Sequence, residues 1–337
     1  MQKRIELEQK EIRELSPFAC KAACGAGRQE DEEPCPFRTD FQRDRDRIIH
    51  SKAFRRLMHK TQVFLAPEDD HYRTRLTHTL EVNQVARTIA TILNLNVDLT
   101  EAIALGHDLG HTPFGHNGEA VLNTIHPGGF RHNEQSLRVV DILEEHKNRR
   151  GMNLTHEVRN GILNHTGSIV PNTAEGQVVK ISDRIAYINH DIDDAVRSKV
   201  IKQEDIPETS LKLFGHTHGD RIRNMIENVV NNSDGKQTVS MDDQYAAELS
   251  KLRSFMFGNV YKSPKVKKEE DLAKIETVIT SLYGYFLKHT RRMPKDLQGL
   301  AKKEGTNTAV KDYVAGMTDR YALSLYTDLF VPKKSVF

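Results

Sequence analysis

The chain has 337 residues, of which 37% are hydrophobic and 28% are charged. That composition supports one large folded domain or two and excludes a broadly disordered chain. The formal net charge of +2 argues neither for nor against a nucleic-acid partner. The charged N-terminus lacks the apolar core of a signal peptide, and no apolar run approaches the ~20 residues of a membrane span. We therefore expect a cytoplasmic protein with no membrane partner.

Three cysteines, Cys20, Cys24 and Cys35, lie near the N-terminus. An odd number without a secretion signal is typical of reduced cytosolic thiols. Their spacing matches no standard zinc pattern, although a site built from three thiolates stays open.

Helical periodicity dominates the chain, so we predict an all-α fold with at most a small β-hairpin. In the first half, apolar residues recur at helical spacing over 43–60, 77–95, 98–111, 132–146, 155–165 and 175–196. In the second half they do so over 220–232, 242–260, 269–289 and two short stretches within 307–330. Asp98, with Glu101 three positions on, predicts a capping box for the 98–111 helix. The hairpin is predicted over 61–75.

No GxGxxG or GxxxxGK[ST] motif is present, which argues against a P-loop or a dinucleotide-binding sheet. Basic residues crowd one early region, and two interpretations stay open for it: a solvated helix face, or a wall that binds phosphate through guanidinium groups. These residues are Arg38, Arg43, Arg45, Arg47, Lys52, Arg55, Arg56, Lys60, Arg73 and Arg75.

The block GHDLGHTPFGHNGE, residues 106–119, concentrates histidines and acidic residues. Three interpretations stay open for it: a metal cage, an acid/base relay, or chance in a chain with 16 histidines. Asp108 stands at the interior end of an amphipathic helix, where a carboxylate is costly unless it is paired or bound to a cation.

Two residues elsewhere favour the metal interpretation. His78 lies near the start of the 77–95 helix, and Asp183 lies at a core position of the 175–196 helix, between Val179 and Tyr187. Joined to His107 and Asp108, they make a set of two imidazoles and two carboxylates. That set suits divalent manganese, iron, cobalt, nickel or zinc.

The pattern His…His-Asp…Asp on a helical bundle resembles the HD superfamily of metal-dependent phosphohydrolases. Longer segments resemble the bacterial deoxyguanosinetriphosphate triphosphohydrolase-like proteins more closely: RDRIIHSKAFRRLMHKTQVF, HYRTRLTHTLEV, GHDLGHTPFGHNGE, ISDRIAYINHD and YVAGMTDRYAL. The resemblance implies an HD-domain helical bundle. It also implies hydrolysis of a deoxynucleoside triphosphate to deoxynucleoside and intact triphosphate.

For the organisation of the chain we expect an N-terminal segment (1–37), an HD-type catalytic core (38–200) and a C-terminal helical part packing on the core (201–337). One divalent metal ion (Mn²⁺, Fe²⁺, Co²⁺, Ni²⁺, Zn²⁺ or Mg²⁺) would be held by His78, His107, Asp108 and Asp183. It would polarise an α-phosphate oxygen and activate water. A homo-oligomer is expected.

By the same resemblance, the implied catalytic residues are His116, Glu119 and His111. His116 would protonate the departing 5′-oxygen, and Glu119 would orient its imidazole. The implied substrate contacts are Arg75, Gln62, His132, Tyr187 and Asp191. A tyrosine ring packed under C2′ would leave no room for a ribose hydroxyl.

Two alternative functions stay open. An HD phosphodiesterase or 5′-nucleotidase acting on monophosphates would need the same metal ligands without the His116/Glu119 pair. A non-catalytic module that binds nucleotides or single-stranded nucleic acid would use the basic region alone, with a steep salt dependence. Weak single-stranded nucleic-acid binding also stays open beside the enzymatic function.

Overall fold

The computed structural model describes residues 3–62, 73–146, 149–263 and 269–332, and helices account for most of them. Among these residues the one sheet is an antiparallel hairpin of β1 (Glu145–His146) and β2 (Arg149–Arg150). The prediction of an all-α fold is confirmed.

The helices are numbered in chain order. The first eight are α1 (Lys3–Glu14), α2 (Asp40–Ile49), α3 (Lys52–Arg56), α4 (Arg75–Ile92), α5 (Val97–Gly106), α6 (Gly115–Ile125), α7 (His132–Arg138) and α8 (His156–Asn164). The last eight are α9 (Ala174–Arg197), α10 (Glu208–Phe214), α11 (His218–Ser233), α12 (Asp243–Met256), α13 (Glu269–Lys288), α14 (Lys295–Glu304), α15 (Thr306–Ala315) and α16 (Asp319–Phe330). Single π-helical turns follow α7 (Val139–Leu143) and α12 (Phe257–Tyr261).

Local capping explains where two predicted helices were wrong. The 43–60 stretch is not continuous, because the Ser51 side chain accepts the Phe54 N–H and starts a new helix. The 98–111 helix is capped by Asn96 rather than Asp98, since the Asn96 side chain accepts the Leu99 N–H. Asp98 instead pairs with Arg45 at 2.8 Å. Helices α1, α6, α10 and α14 lie outside the predicted helical stretches.

The hairpin predicted over 61–75 falls mostly on 63–72, which lie outside the described residues. At its ends, Thr61 and Thr74 form an isolated antiparallel bridge.

Two apolar clusters hold the described helices together. The larger surrounds α4, α5 and α9, with Val82, Ile103 and Ile185 buried at its centre, and it also receives side chains from α10, α11 and α12. The smaller joins α6, α13, α15 and α16. The domain boundaries at 37/38 and 200/201 stay predictions.

None of the described helices combines the length and hydropathy needed to cross a bilayer.

Candidate active site

Helix ends and one long helix converge on a cavity of about 750 Å³. The start of α4, the turns after α5, the starts of α6 and α7, and the middle of α9 all contribute to it. The predicted site residues that line it are Gln62, Arg75, His78, Asp108, His111, His116, His132, Asp183, Tyr187 and Asp191. The other two, His107 and Glu119, lie directly behind this wall, in contact with Asp108 and His116.

The four predicted metal ligands meet at one end of the cavity. His78 Nε2 lies 3.2 Å from Asp183 Oδ1, and His107 Nε2 lies 3.6 Å from Asp108 Oδ2 and 4.0 Å from Asp183 Oδ1. Ligand atoms of His78, His107 and Asp108 all lie within 4.8 Å of one another. The tertiary fold therefore brings together side chains from three separate segments, as the metal prediction requires.

The donor chemistry of His107 fits a divalent cation. Its Nδ1 donates to the Ala104 carbonyl oxygen at 2.7 Å, which leaves the lone pair on Nε2. That Nε2 is buried and makes no hydrogen bond with the described residues. A buried nitrogen without a partner is costly unless a ligand or ion completes its surroundings.

Arg75 is buried and its Nη1 donates to Asp108 Oδ2 at 2.5 Å. Burial alone would raise the pKa of Asp108, but Arg75 and the neighbouring imidazoles hold it well below its usual value. The carboxylate consequently stays anionic, which is the form that binds a metal. Arg75 lies against a predicted metal ligand and also lines the cavity, so it pairs with a carboxylate in this structure and is placed where a phosphate contact is predicted.

Glu119 forms hydrogen bonds with two histidines in a second cluster beside the four predicted metal ligands. Its Oε2 lies 3.2 Å from His116 Nδ1, and its Oε1 accepts both the backbone N–H and Nδ1 of His132 at 2.9 Å. Burial would raise the pKa of Glu119, yet these bonds from His116 and His132 lower it far below the usual range. Burial opposes protonation of His132, and the bond to Glu119 nevertheless raises the pKa of His132.

Exposure separates the roles of the histidines in this cluster. The His116 side chain is 63% exposed, whereas His111 is fully buried and stacks on His132 with ring centroids 4.8 Å apart. Burial and the charge of Arg75 hold the pKa of His111 well below its usual value, so it is neutral. His116 is thus the member of the cluster that can meet a substrate from solvent.

The chain changes direction just before His116. Phe114 has a left-handed φ of 61° and Gly115 a φ of 58°, so the chain reverses and starts α6 in a new direction. An added Cβ at Gly115 would lie 2.9 Å from the Gln62 carbonyl oxygen, which explains glycine at this crossing.

The middle of α9 forms the opposite wall. Tyr187 and Asp191 line the cavity on the same face as Asp183, as their spacing predicted. Tyr261, from the π-helical turn after α12, donates its hydroxyl to Asp191 Oδ2. Burial raises the pKa of Asp191 to about 7, because the bond from Tyr261 compensates only part of the lost hydration.

Among the lining residues that were not predicted, four carry titratable side chains: His165, Arg184, Arg253 and Tyr261. His165 Nε2 lies 3.3 Å from His132 Nε2, and burial lowers the pKa of His165 to about 3. Arg184 directly follows Asp183, and that adjacency was a usable signal. Arg253 and Tyr261 reach the cavity from α12 and its π turn, for which the local sequence offers no signal.

Comparison with known proteins places this site in a family. Residues 75–188 match the HD domain and residues 239–328 match the phosphohydrolase-associated domain. A deoxyguanosinetriphosphate triphosphohydrolase-like protein of Caldanaerobacter subterraneus subsp. tengcongensis is 58% identical over 325 residues, covering 96% of this chain and 95% of the relative. The chain belongs to the family of deoxyguanosinetriphosphate triphosphohydrolase-like proteins.

Other members of the family match over nearly their whole length. The relative from Desulfatibacillum aliphaticivorans is 47% identical and covers 99% of both chains. The relative from Clostridium perfringens (strain SM101 / Type A) is 45% identical and also covers 99% of both. A solved structure of a hypothetical protein from Aquifex aeolicus has a TM-score of 0.47 at 22% identity, covering 86% of this chain and 68% of that one, a likeness too distant to bear on the site.

Proposed function

We propose that this protein is a metal-dependent hydrolase that converts deoxynucleoside triphosphates to deoxynucleoside and intact triphosphate. The observation that carries the proposal is the meeting, in one cavity, of the His78/His107/Asp108/Asp183 group with the His116–Glu119 pair. The first group suits a divalent cation, and the second suits protonation of a leaving group. The names of the family's members point to the same reaction.

His78, His107, Asp108 and Asp183 would hold the cation. When bound, a divalent metal supplies Lewis-acid polarisation of a phosphate oxygen and a more acidic water. Arg184 and Arg253 line the same cavity as Arg75 and offer guanidinium groups to the remaining phosphate charge. Several cationic side chains are needed because one metal ion does not neutralise a triphosphate.

His116 donates the proton that the departing 5′-oxygen needs. Glu119 accepts from its Nδ1, which directs the other ring nitrogen, Nε2, toward the substrate. Glu119 also accepts two hydrogen bonds from His132. The anionic carboxylate thus orients the imidazole rings of both His116 and His132.

The α9 wall would select the sugar. Tyr187 and Asp191 lie one and two turns after Asp183 on the same helical face. A half-buried tyrosine against C2′ excludes a ribose hydroxyl, and Asp191, positioned by Tyr261, can bond the 3′-hydroxyl. Gln62 lines the other side of the cavity.

A hydrolase of monophosphates is the second candidate, because it would use the same metal ligands. The three guanidinium groups in the cavity, from Arg75, Arg184 and Arg253, favour the first candidate, since a triphosphate carries more negative charge than a monophosphate. Manganese as the metal, a homo-oligomer and a cytoplasmic location remain predictions, as does weak binding of single-stranded nucleic acid.

Product analysis tests the proposal. The protein is incubated with each deoxynucleotide and each ribonucleotide in the presence of Mn²⁺, and tripolyphosphate, pyrophosphate and orthophosphate are separated. We expect tripolyphosphate from deoxynucleotides at rates well above those from ribonucleotides. Asp108→Asn, which removes a metal ligand, is expected to lower turnover by ~10³-fold or more. Asp234→Asn, at an exposed loop position, serves as the matched control. Orthophosphate as the first product would contradict the proposal.

A further inference from the structure

The segment YVAGMTDRYAL contains an aspartate that no step above uses. Asp319 is half-buried in the first turn of α16, far along the chain from the histidine-rich block at residues 106–119. Its Oδ1 accepts the backbone N–H of Phe114 at 2.9 Å, and its Oδ2 accepts the backbone N–H of Thr61 at 3.0 Å and the Thr61 hydroxyl. One carboxylate therefore joins two distant segments.

Both segments lead directly into the active site. Gln62 follows Thr61, and His116 stands two residues after Phe114, in the first turn of α6. Phe114 is the N-terminal cap of α6, in the left-handed region with φ of 61°, and no side chain of its own caps the helix. A non-glycine residue holds that conformation only where its surroundings enforce it, and the bond from Phe114 N–H to Asp319 is such a constraint.

Two neighbouring contacts also hold the Phe114 turn against the segment at Thr61. Gly115 runs so close to the Gln62 carbonyl oxygen that an added Cβ would lie 2.9 Å from it. Lys60, fully buried, donates from Nζ to the carbonyl oxygen of His111 and to that of Ala315 at 3.0 Å, so α15 is tied to the same turn. The C-terminal helices are thus tied to the turn that precedes the general acid, directly through Asp319 and indirectly through Lys60.

We infer that Asp319 is a positioning residue for proton donation by His116. By holding the Phe114 turn against the segment at Thr61, it sets where α6 begins and hence where the His116 ring stands relative to the sugar oxygen. This inference rests on the proposed function. A misplacement of about 1 Å in a catalytic group costs on the order of 100-fold in rate, so a distant carboxylate can govern turnover without touching substrate.

The decisive variant is Asp319→Asn, which keeps the shape but presents an amide N–H where one of the two backbone donors needs an acceptor. With the deoxynucleotide that the wild type hydrolyses fastest, we expect kcat to fall ~10- to 100-fold and KM to change less than ~3-fold. The second substrate is the same deoxynucleotide with sulfur in place of the bridging 5′-oxygen. Because a thiolate leaves without a proton, the loss with this analogue should be less than ~3-fold.

Three companion variants complete the experiment. Asp296→Asn makes the same change in the exposed first turn of α14 and should leave both rates unchanged. Gly115→Ala places a Cβ against the Gln62 carbonyl oxygen and so pushes the Phe114 turn away from the segment at Thr61. It should reproduce the loss of activity that is confined to the oxygen substrate. Thr61→Val removes one hydroxyl bond and leaves both backbone bonds, so it should lose less activity than Asp319→Asn.

The outcomes separate the two levels of inference. A wild type that releases no tripolyphosphate contradicts the proposed function and, with it, this inference. An active wild type whose Asp319→Asn variant loses equal activity on both substrates, or loses activity only in step with its melting temperature, overturns the positioning role alone. If Asp319→Asn does not fold, Gly115→Ala decides: a loss confined to the oxygen substrate supports the inference, and an equal loss on both substrates rejects it.

Discussion

Three buried carboxylates and the partly buried Glu119 show how surroundings assign different charge states to the same functional group. Asp108 and Glu119 are surrounded by arginine or histidine, and their pKa values are lowered well below the usual range despite burial. Glu175 and Asp191 lie in surroundings with fewer cations, and burial raises the pKa of each to about 7. Asp108 and Glu119 therefore stay anionic, the form that suits a cation beside Asp108 and the histidines beside Glu119. Glu175 and Asp191 instead titrate near neutral pH.

Glu175 makes a pH-dependent contribution to stability. Its Oε1 accepts the N–H groups of Cys20 and Asn96, and its buried Oε2 has no hydrogen-bond partner among the described residues. Burial raises its pKa from 4.5 to about 7. The folded state therefore binds more protons than the unfolded state between these values. Its stabilising contribution is complete below pH 4.5 and is lost as the pH rises through about 7.

We accordingly expect Glu175→Gln, which keeps the acceptor oxygen and removes the titration, to match the wild type near pH 5 and to exceed it in stability at pH 8. The gap should reach at most about 3 kcal/mol, since each pKa unit corresponds to about 1.4 kcal/mol. Urea unfolding at several pH values measures it, with the exposed Glu208→Gln as control. A gap that does not change with pH would refute the assignment.

At the scale of elements, the close contact between the turn after α5 and helix α7 positions the predicted site residues of both. Gly110 follows α5 and lies against α7: its N–H donates to Ser136 Oγ at 2.9 Å, and that hydroxyl donates to the His107 carbonyl oxygen at 2.7 Å. An added Cβ at Gly110 would lie 2.1 Å from the Ser136 backbone nitrogen. The start of α7, with His132, is thereby held next to His107 and Asp108.

Gly110→Ala should therefore force α7 away from His107 and Asp108. We expect a loss of about 3 kcal/mol or more in the free energy of unfolding, because the obstacle is backbone. Gly284→Ala is the matched control: Gly284 lies inside α13 with nothing within 4 Å of an added Cβ, and alanine there should stabilise the helix by about 0.5–1 kcal/mol. Thermal unfolding of both variants makes the comparison, and equal stabilities would contradict the crossing.

At the scale of the whole molecule, the four predicted metal ligands link α4, the turn after α5, and α9, and these elements form the centre of the larger apolar cluster. Side chains of α10, α11 and α12 pack on that same cluster, so the C-terminal half is part of the fold that surrounds the site.

A ligand that binds only the folded state stabilises the whole molecule. Removal of divalent cations with a chelator should abolish tripolyphosphate release and lower the melting temperature by several degrees, and added Mn²⁺ should restore both. In Asp108→Asn the melting temperature should no longer respond to Mn²⁺. A wild-type melting temperature that is insensitive to both chelator and metal would mean that His78, His107, Asp108 and Asp183 do not form a metal site.

Features within one turn of helix or one short block were readable from the amino-acid order. His107 and Asp108 are adjacent in the sequence. The i,i+3 relation of His116 and Glu119, and the shared face of Asp183, Tyr187 and Asp191, follow from helical geometry. Only the tertiary structure showed that Glu119 also bonds His132, that Tyr261 positions Asp191, and that Asp319 bonds the Phe114 turn. Helical periodicity states which face is buried but not which other helix covers it, so contacts between segments many turns apart are decided by how the helices pack.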